Sequence, residues 1–219
     1  ASNEEIRDRI LSGGKITGTN MVVMICAILI ASVGLNTDSV AVIIGAMLIS
    51  PLMGSILAIS YGTASNDAYL VKRHAVGFAV QILMSVATAT VYFLLSPVKE
   101  PTEQLLARTN PSFFDVLIAL AGGIAGIVGQ TRKDKSNNII PGVAIATALM
   151  PPLCTCGYAI ANGNLRMLLG AFYLFTINAY FIYIASDLML VLLRTPRVRA
   201  MTFAEWKRLR KKMYRNTLL

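Results

Sequence analysis

Long apolar runs separated by short charged segments dominate the chain. Met21–Leu35, Val76–Val98 and Val116–Thr131 carry no charge at all. A helix that crosses a bilayer needs about 20 mostly apolar residues. Six such spans are predicted, at roughly 20–36, 39–62, 75–97, 113–131, 139–161 and 167–193. The fold class is therefore expected to be an all-α polytopic membrane protein with six transmembrane helices.

Composition agrees with that pattern. Of the 219 residues, 55% are hydrophobic and 14% are charged, with a mean hydropathy of +0.63. A soluble domain would carry nearer a quarter charged residues. The first twenty residues, with Glu4, Glu5, Arg7, Asp8 and Arg9, are polar before any apolar run begins, so no cleavable signal peptide is expected.

The net charge of +9 gains meaning from its distribution. With six spans and a cytoplasmic N-terminus, 17 of the 20 Lys and Arg fall on the cytoplasmic side. Lys99, Arg108 and Arg166 remain outside. This is the positive-inside bias. It predicts a multi-pass protein of the cytoplasmic membrane with both termini inside, and it points away from nucleic acid.

Beyond Pro196 the chain turns basic. Thr202-Phe-Ala-Glu205 has the form of a capping box. Phe203, Trp206 and Met213 fall at helical spacing, and Lys207, Arg208, Arg210, Lys211 and Lys212 fill the other surface. The expected partner is the bilayer surface with its anionic headgroups; docking on the protein itself is the alternative. Ile6, Ile10 and Leu11 predict a shorter amphipathic helix near the N-terminus.

A proline-broken apolar segment occurs twice. Residues 39–62 align with 140–163 without a gap, with eight of 24 positions identical, among them Pro51/Pro152 and Leu52/Leu153. Ser96-Pro97 and Thr195-Pro196 close the third and sixth spans at nearly the same offset. The expected unit is three spans, repeated. An odd number makes consecutive copies insert in opposite directions, an arrangement that recurs in secondary transporters with discontinuous helices and a midplane site. The organisation expected is a cytoplasmic amphipathic segment (1–19), a first repeat (20–97), an external loop (98–112), a second repeat (113–195) and a basic amphipathic helix (196–219), with helices 2 and 5 broken at proline.

Both prolines fall about 12 residues into their spans, close to the middle of a ~30 Å core. Each removes an amide donor and frees a carbonyl. The candidate site for a small ion or solute therefore comprises Ser50, Pro51, Met53, Gly54, Ser55, Pro151, Pro152, Cys154, Thr155 and Cys156, with Asn178 from span six. A proline kink healed by neighbouring helices is the bland alternative. Asp187 is the carboxylate placed well inside a span; it is a candidate for proton coupling or a partner for Arg194.

Other residues change the picture less. Gln81, Ser85 and Thr88 share one side of span three, and Asp38 and Asn66-Asp67 are expected caps. Gly122, Gly123, Gly126 and Gly129 form a close-packing face on span four, for a partner in the same chain or in a homo-oligomer. Cys154 and Cys156 are read as small packing residues rather than metal ligands, and no cofactor is expected. His74 is the single histidine, and no P-loop, dinucleotide fingerprint or H-E-x-x-H is present, so no enzyme is expected.

The run from Gly45 to Gly62, with Asn66-Asp67 after it, resembles the domain of unknown function 389 family of uncharacterised hydrophobic-domain membrane proteins. Ala148–Gly157 looks like that family's second signature, and the resemblance covers roughly residues 15–195. Family members often have proline where this chain has Ser55, and many carry a soluble domain before the spans. The resemblance implies the membrane topology and no established substrate. The function expected is a transporter or channel-like carrier; a non-transporting scaffold or sensor acting through its basic C-terminal helix is the alternative.

Overall fold

The computed structural model describes residues 2–131 and 139–196, with side chains throughout except those of 139–148. Nine helices are found among the described residues: α1 (Asn3–Gly13), α2 (Gly18–Asn36), α3 (Val40–Ile49), α4 (Leu52–Ala64), α5 (Ala68–Leu95), α6 (Glu103–Leu106), α7 (Phe113–Thr131), α8 (Ile139–Ala161) and α9 (Leu165–Leu192). Four of them, α2, α5, α7 and α9, are long and apolar enough to cross a membrane. The α3–α4 pair, bent by 47°, makes a fifth when counted as one span. The chain is thus a multi-pass membrane protein.

Two helices sit at the centre. Every residue of α8 from Leu149 to Ala159 is buried, beneath α2, α3, α5, α7 and α9. Helix α4 is nearly as enclosed, between α1, α5 and α9. The surrounding helices leave one face outward: Leu83, Val91 and Leu95 of α5 and Leu169, Phe172 and Leu192 of α9 are all exposed. Apolar surface of this extent suits lipid and would be a liability in water.

Helices α5 and α9 match closely. Both have 28 residues, and they begin 97 positions apart, at 68 and 165. Each follows a residue with positive φ, Asn66 (59°) before α5 and Gly163 (66°) before α9. Each opens on an Asx cap: Asp67 accepts from the Leu70 amide and Asn164 from the Met167 amide, both at 3.0 Å. The closing backbone bonds also correspond, Asp67 N to Gly62 O (2.8 Å) and Asn164 N to Ala159 O (2.9 Å). All six buried positions of α5 recur as buried positions of α9: His74, Gly77, Gln81, Ser85, Ala89 and Phe93 against Ala171, Leu174, Asn178, Ile182, Ser186 and Leu190.

This register differs from the gapless alignment of the proline segments. Those prolines are 101 positions apart, whereas the turns and following helices match at 97. The difference of four residues is about one helical turn. In the register of α5 and α9, Ser55 corresponds to Pro152, and Pro51 to Ala148.

The expected break at Pro151-Pro152 is also corrected. Helix α8 runs unbroken from Ile139 to Ala161 with both prolines inside it. Proline fixes φ near the helical value, so the fault it introduces is a lost donor and a ring clash, costing about 3 kcal/mol or more. Packing on all sides of α8 holds the helix together against that cost. At Pro51 the outcome is the opposite. Ser50 takes an extended conformation (φ −74°, ψ 130°), as the residue before proline prefers. Both Ser50 and Pro51 are only half-buried, so less packing opposes the break.

Helix α1 is held by the protein rather than free on a surface. Ser2 and Glu5 close a capping box at its start. Ile10 is buried against Leu57, Ala58 and Tyr61 of α4 and Leu190 of α9. The Arg9 guanidinium donates to Gln130 O at the end of α7 (3.3 Å). The glycine face of α7 likewise finds its partner within the chain, since a Cβ on Gly123 would lie 2.6 Å from Ile182 O of α9. Ser186 of α9 donates to Gly123 O across the same contact (3.2 Å).

Candidate functional site

The break at Ser50-Pro51 is the point where helical hydrogen bonding stops inside an apolar segment. Met47 O accepts from the Ser50 amide at 3.3 Å, closing α3 with a tighter turn. The Leu52 amide lies 3.4 Å from Ser50 Oγ, which caps α4 weakly. Gly54, one turn into α4, lies directly against the backbone of Gly13, and a side chain at Gly54 would collide with the Gly13 carbonyl. Gly14 packs against Ala58, where an added Cβ would lie 2.7 Å from the alanine methyl, and its carbonyl lies 3.1 Å from His74 Nδ1. The glycine of the motif therefore admits α1 to the first turn of α4. Met53 is half-buried and touches both apolar clusters of the interior.

Ser55 belongs to a buried polar joint between α4 and α5. Its hydroxyl donates to Gln81 Oε1 at 2.7 Å, and Ser85 donates to Gln81 O at 2.7 Å. All three residues are at most 1% exposed. A buried amide and hydroxyl are tolerated because they satisfy each other. Thr88 lies one turn further, half-buried.

The second proline segment has a different character. Thr155 donates to Pro151 O at 2.9 Å, within its own helix. Cys154 and Cys156 diverge: Cys154 Sγ faces Ile28 O of α2 and Cys156 Sγ faces Leu168 O of α9, each at 4.0 Å. Positions i and i+2 of a helix do not share a face, so the two sulfurs do not form one chelating pair. Asn178 (2% exposed) and Asp187 (fully buried) are both enclosed, but nine positions apart on α9 they project to opposite sides of the helix. Among the sequence-predicted caps, Asp67 caps α5, Asn66 takes the left-handed position before it, and Asp38 instead accepts from the Gln104 amide (3.1 Å) in the first turn of α6. Trp206, Lys207, Arg208, Arg210, Lys211 and Lys212 lie outside the described residues.

A groove of about 570 Å3 opens elsewhere, between α4, α5 and α9. Phe78, Tyr173, Phe175, Tyr180 and Tyr183 line it, over a floor of Ile56 and Ile59. None of the residues named above as the candidate site lines this groove. Phe78 and Phe175 stack across it with ring centroids 6.0 Å apart. Tyr183 donates to Thr63 Oγ1 (3.1 Å), tying α9 to the end of α4. A sequence signal for the groove exists in hindsight: Tyr173, Thr176, Tyr180 and Tyr183 recur every three to four residues, which places them on one face of α9.

Residues 47–184 match the model of a family described as a domain of unknown function (DUF389). An uncharacterized protein of Methanocaldococcus jannaschii is 30% identical over 159 residues, which cover 73% of this chain and 49% of that protein. The chain thus spans about half the length of that relative. No solved structure matches. The match encloses the Ser50-Pro51 break, the Ser55–Gln81 joint and every residue lining the aromatic groove, and the chain belongs to the DUF389 family.

Proposed function

We propose that this protein is a membrane transporter or channel-like carrier for a small ion or solute, built as an inverted repeat of three spans. Helices α2, α3–α4 and α5 would form one repeat, and α7, α8 and α9 the other, in a cytoplasmic membrane with both termini inside. The observation that carries this reading is the correspondence of α5 with α9: equal length, the same Asx-capped turn, and every buried position of α5 buried again in α9. The cross-contacts follow the same exchange, since α5 packs on α8 as α9 packs on α4. Paired repeats of this kind support alternating access by rocking of one repeat against the other. The solute path would pass the Ser50–Ser55 break, where backbone groups are freed, with Asn178 and Asp187 contributing from α9.

A non-transporting scaffold or sensor is the second reading. It is favoured by the unbroken course of α8 and the complete burial of Pro151–Cys156. Thiol labelling in membranes separates the two. In a Cys26→Ser background, transport predicts that an impermeant maleimide reaches Cys154 or Cys156 from one side in at least one condition. Cysteines sealed from both sides under all conditions would sink the alternating-access reading.

A further inference from the structure

We infer that the groove between α4, α5 and α9 is a binding site for a bulky, lipid-soluble organic cation. Its volume of about 570 Å3 falls among small-molecule sites, which run from roughly 300 to 1,000 Å3. What distinguishes it is the lining. Five aromatic residues line a space that no Asp, Glu, Lys or Arg borders among the described residues. The hydroxyls nearby are partly committed elsewhere: Thr176 donates to Phe172 O (2.8 Å) and Tyr183 to Thr63 (3.1 Å). Recognition in the groove therefore falls mainly to ring faces.

A lipid tail needs apolar area and gains nothing particular from aromatic rings. The matched helix offers a comparison, with Val76 and Leu83 exposed and Val86 partly buried. The α5 residues 97 positions before Tyr173, Tyr180 and Tyr183 are Val76, Leu83 and Val86, all aliphatic. The two helices share their buried positions, yet only α9 carries tyrosines here. Tyr173 (60% exposed) and the half-buried Tyr180 line an apolar groove, and neither hydroxyl has a hydrogen-bond partner among the described residues. Exposing phenols along a membrane-spanning helix is costly, so the rings must return something that valine and leucine do not.

The face of an aromatic ring is electron-rich and attracts a cation, and the attraction grows when the site excludes water. A compact ammonium would lose too much hydration to enter without a counter-charge. A cation whose charge is spread over a large apolar body loses far less, and it fits both the size and the ring lining. Binding of this kind does not depend on transport, so it stands or falls apart from the carrier reading.

The test uses two ions of nearly the same shape and opposite charge, tetraphenylphosphonium and tetraphenylborate, titrated calorimetrically into the detergent-purified protein. The expected result is saturable binding of the cation, with the anion at least roughly tenfold weaker. Tyr180→Leu and Tyr173→Leu should each weaken the cation by roughly 2- to 30-fold, whereas Tyr180→Phe should leave it unchanged. Tyr173 is the more exposed, so its variant carries the test if Tyr180→Leu fails to fold. Equal binding of the two ions, absence of saturable cation binding, or unchanged affinity in folded Tyr173→Leu would overturn the proposal. A solute-flux assay reports separately on the carrier reading.

Discussion

Phe78 and Phe175 stack with their ring centroids 6.0 Å apart and their planes 26° from parallel. Each is the eleventh residue of a 28-residue helix, α5 in one case and α9 in the other. Two chemically identical side chains at matched positions meet each other, as the proposed inverted repeat would require. Gln81 and Asn178, matched amides one turn further on, are both buried. The contact thus ties two otherwise separate helices at corresponding points. Phe78→Leu should lower thermal stability by about 1–2 kcal/mol, since the swap keeps most apolar volume and removes the aromatic contact. Phe78→Leu with Phe175→Leu should cost less than the sum of the singles, measured as a double-mutant cycle in detergent melts.

The joint between Ser55 and Gln81 predicts an asymmetric response. Ser55→Ala removes the donor and leaves Gln81 Oε1 buried without it, at a cost of about 1–3 kcal/mol. Replacing both partners by apolar residues, Ser55→Ala with Gln81→Leu, should recover much of that loss. Thermal melts of the three variants would read it directly, and an additive double variant would contradict the pairing.

Close packing at Gly54 makes a sharper claim. Gly54→Ala drives a methyl group into the Gly13 carbonyl, so α1 must move. The expected outcome is a stability loss of about 1–3 kcal/mol and faster proteolysis within residues 3–17. Gly45 supplies the control: it lies in α3 with nothing within 4 Å of the added Cβ. Gly45→Ala should be neutral or stabilising by up to about 1 kcal/mol, because alanine is the better helix former.

The two proline sites should respond differently to substitution. Pro51→Ala restores an amide at the 47° bend and should straighten it. Pro152→Ala restores an amide inside a helix that is already continuous, so its axis should not change. Distances between spin labels flanking each site, measured by pulsed electron resonance, would move for the first variant and stay fixed for the second.

Hydropathy and caps carried most of the coarse fold. An apolar run long enough for a bilayer has few alternatives to a helix, because lipid offers no partner for unpaired backbone groups. This is why α2, α5, α7 and α9 fall close to the predicted spans. Asp67 was legible as a cap because its side chain acts three residues away in sequence. The glycine face of α7 was legible as a packing face, while its partner α9 was not, since small-residue spacing carries no address.

The proline motif itself was read from the chain, with its two copies and their place in apolar segments. Whether each proline breaks its helix depended on what surrounds it. Pro51 is half-buried and lies where the chain turns by 47°; Pro151 and Pro152 are fully buried and stay helical. The true register of the matched helices was equally hidden, because a shift of one turn returns a side chain to nearly the same face and leaves the apolar pattern intact. Sequence alone determined that the backbone must be helical and that two segments carry prolines, since those follow from local chemistry and the bilayer. Which helix breaks, which residues meet at Phe78 and Phe175, and where a groove opens were decided by tertiary packing, because they depend on contacts between residues about a hundred positions apart.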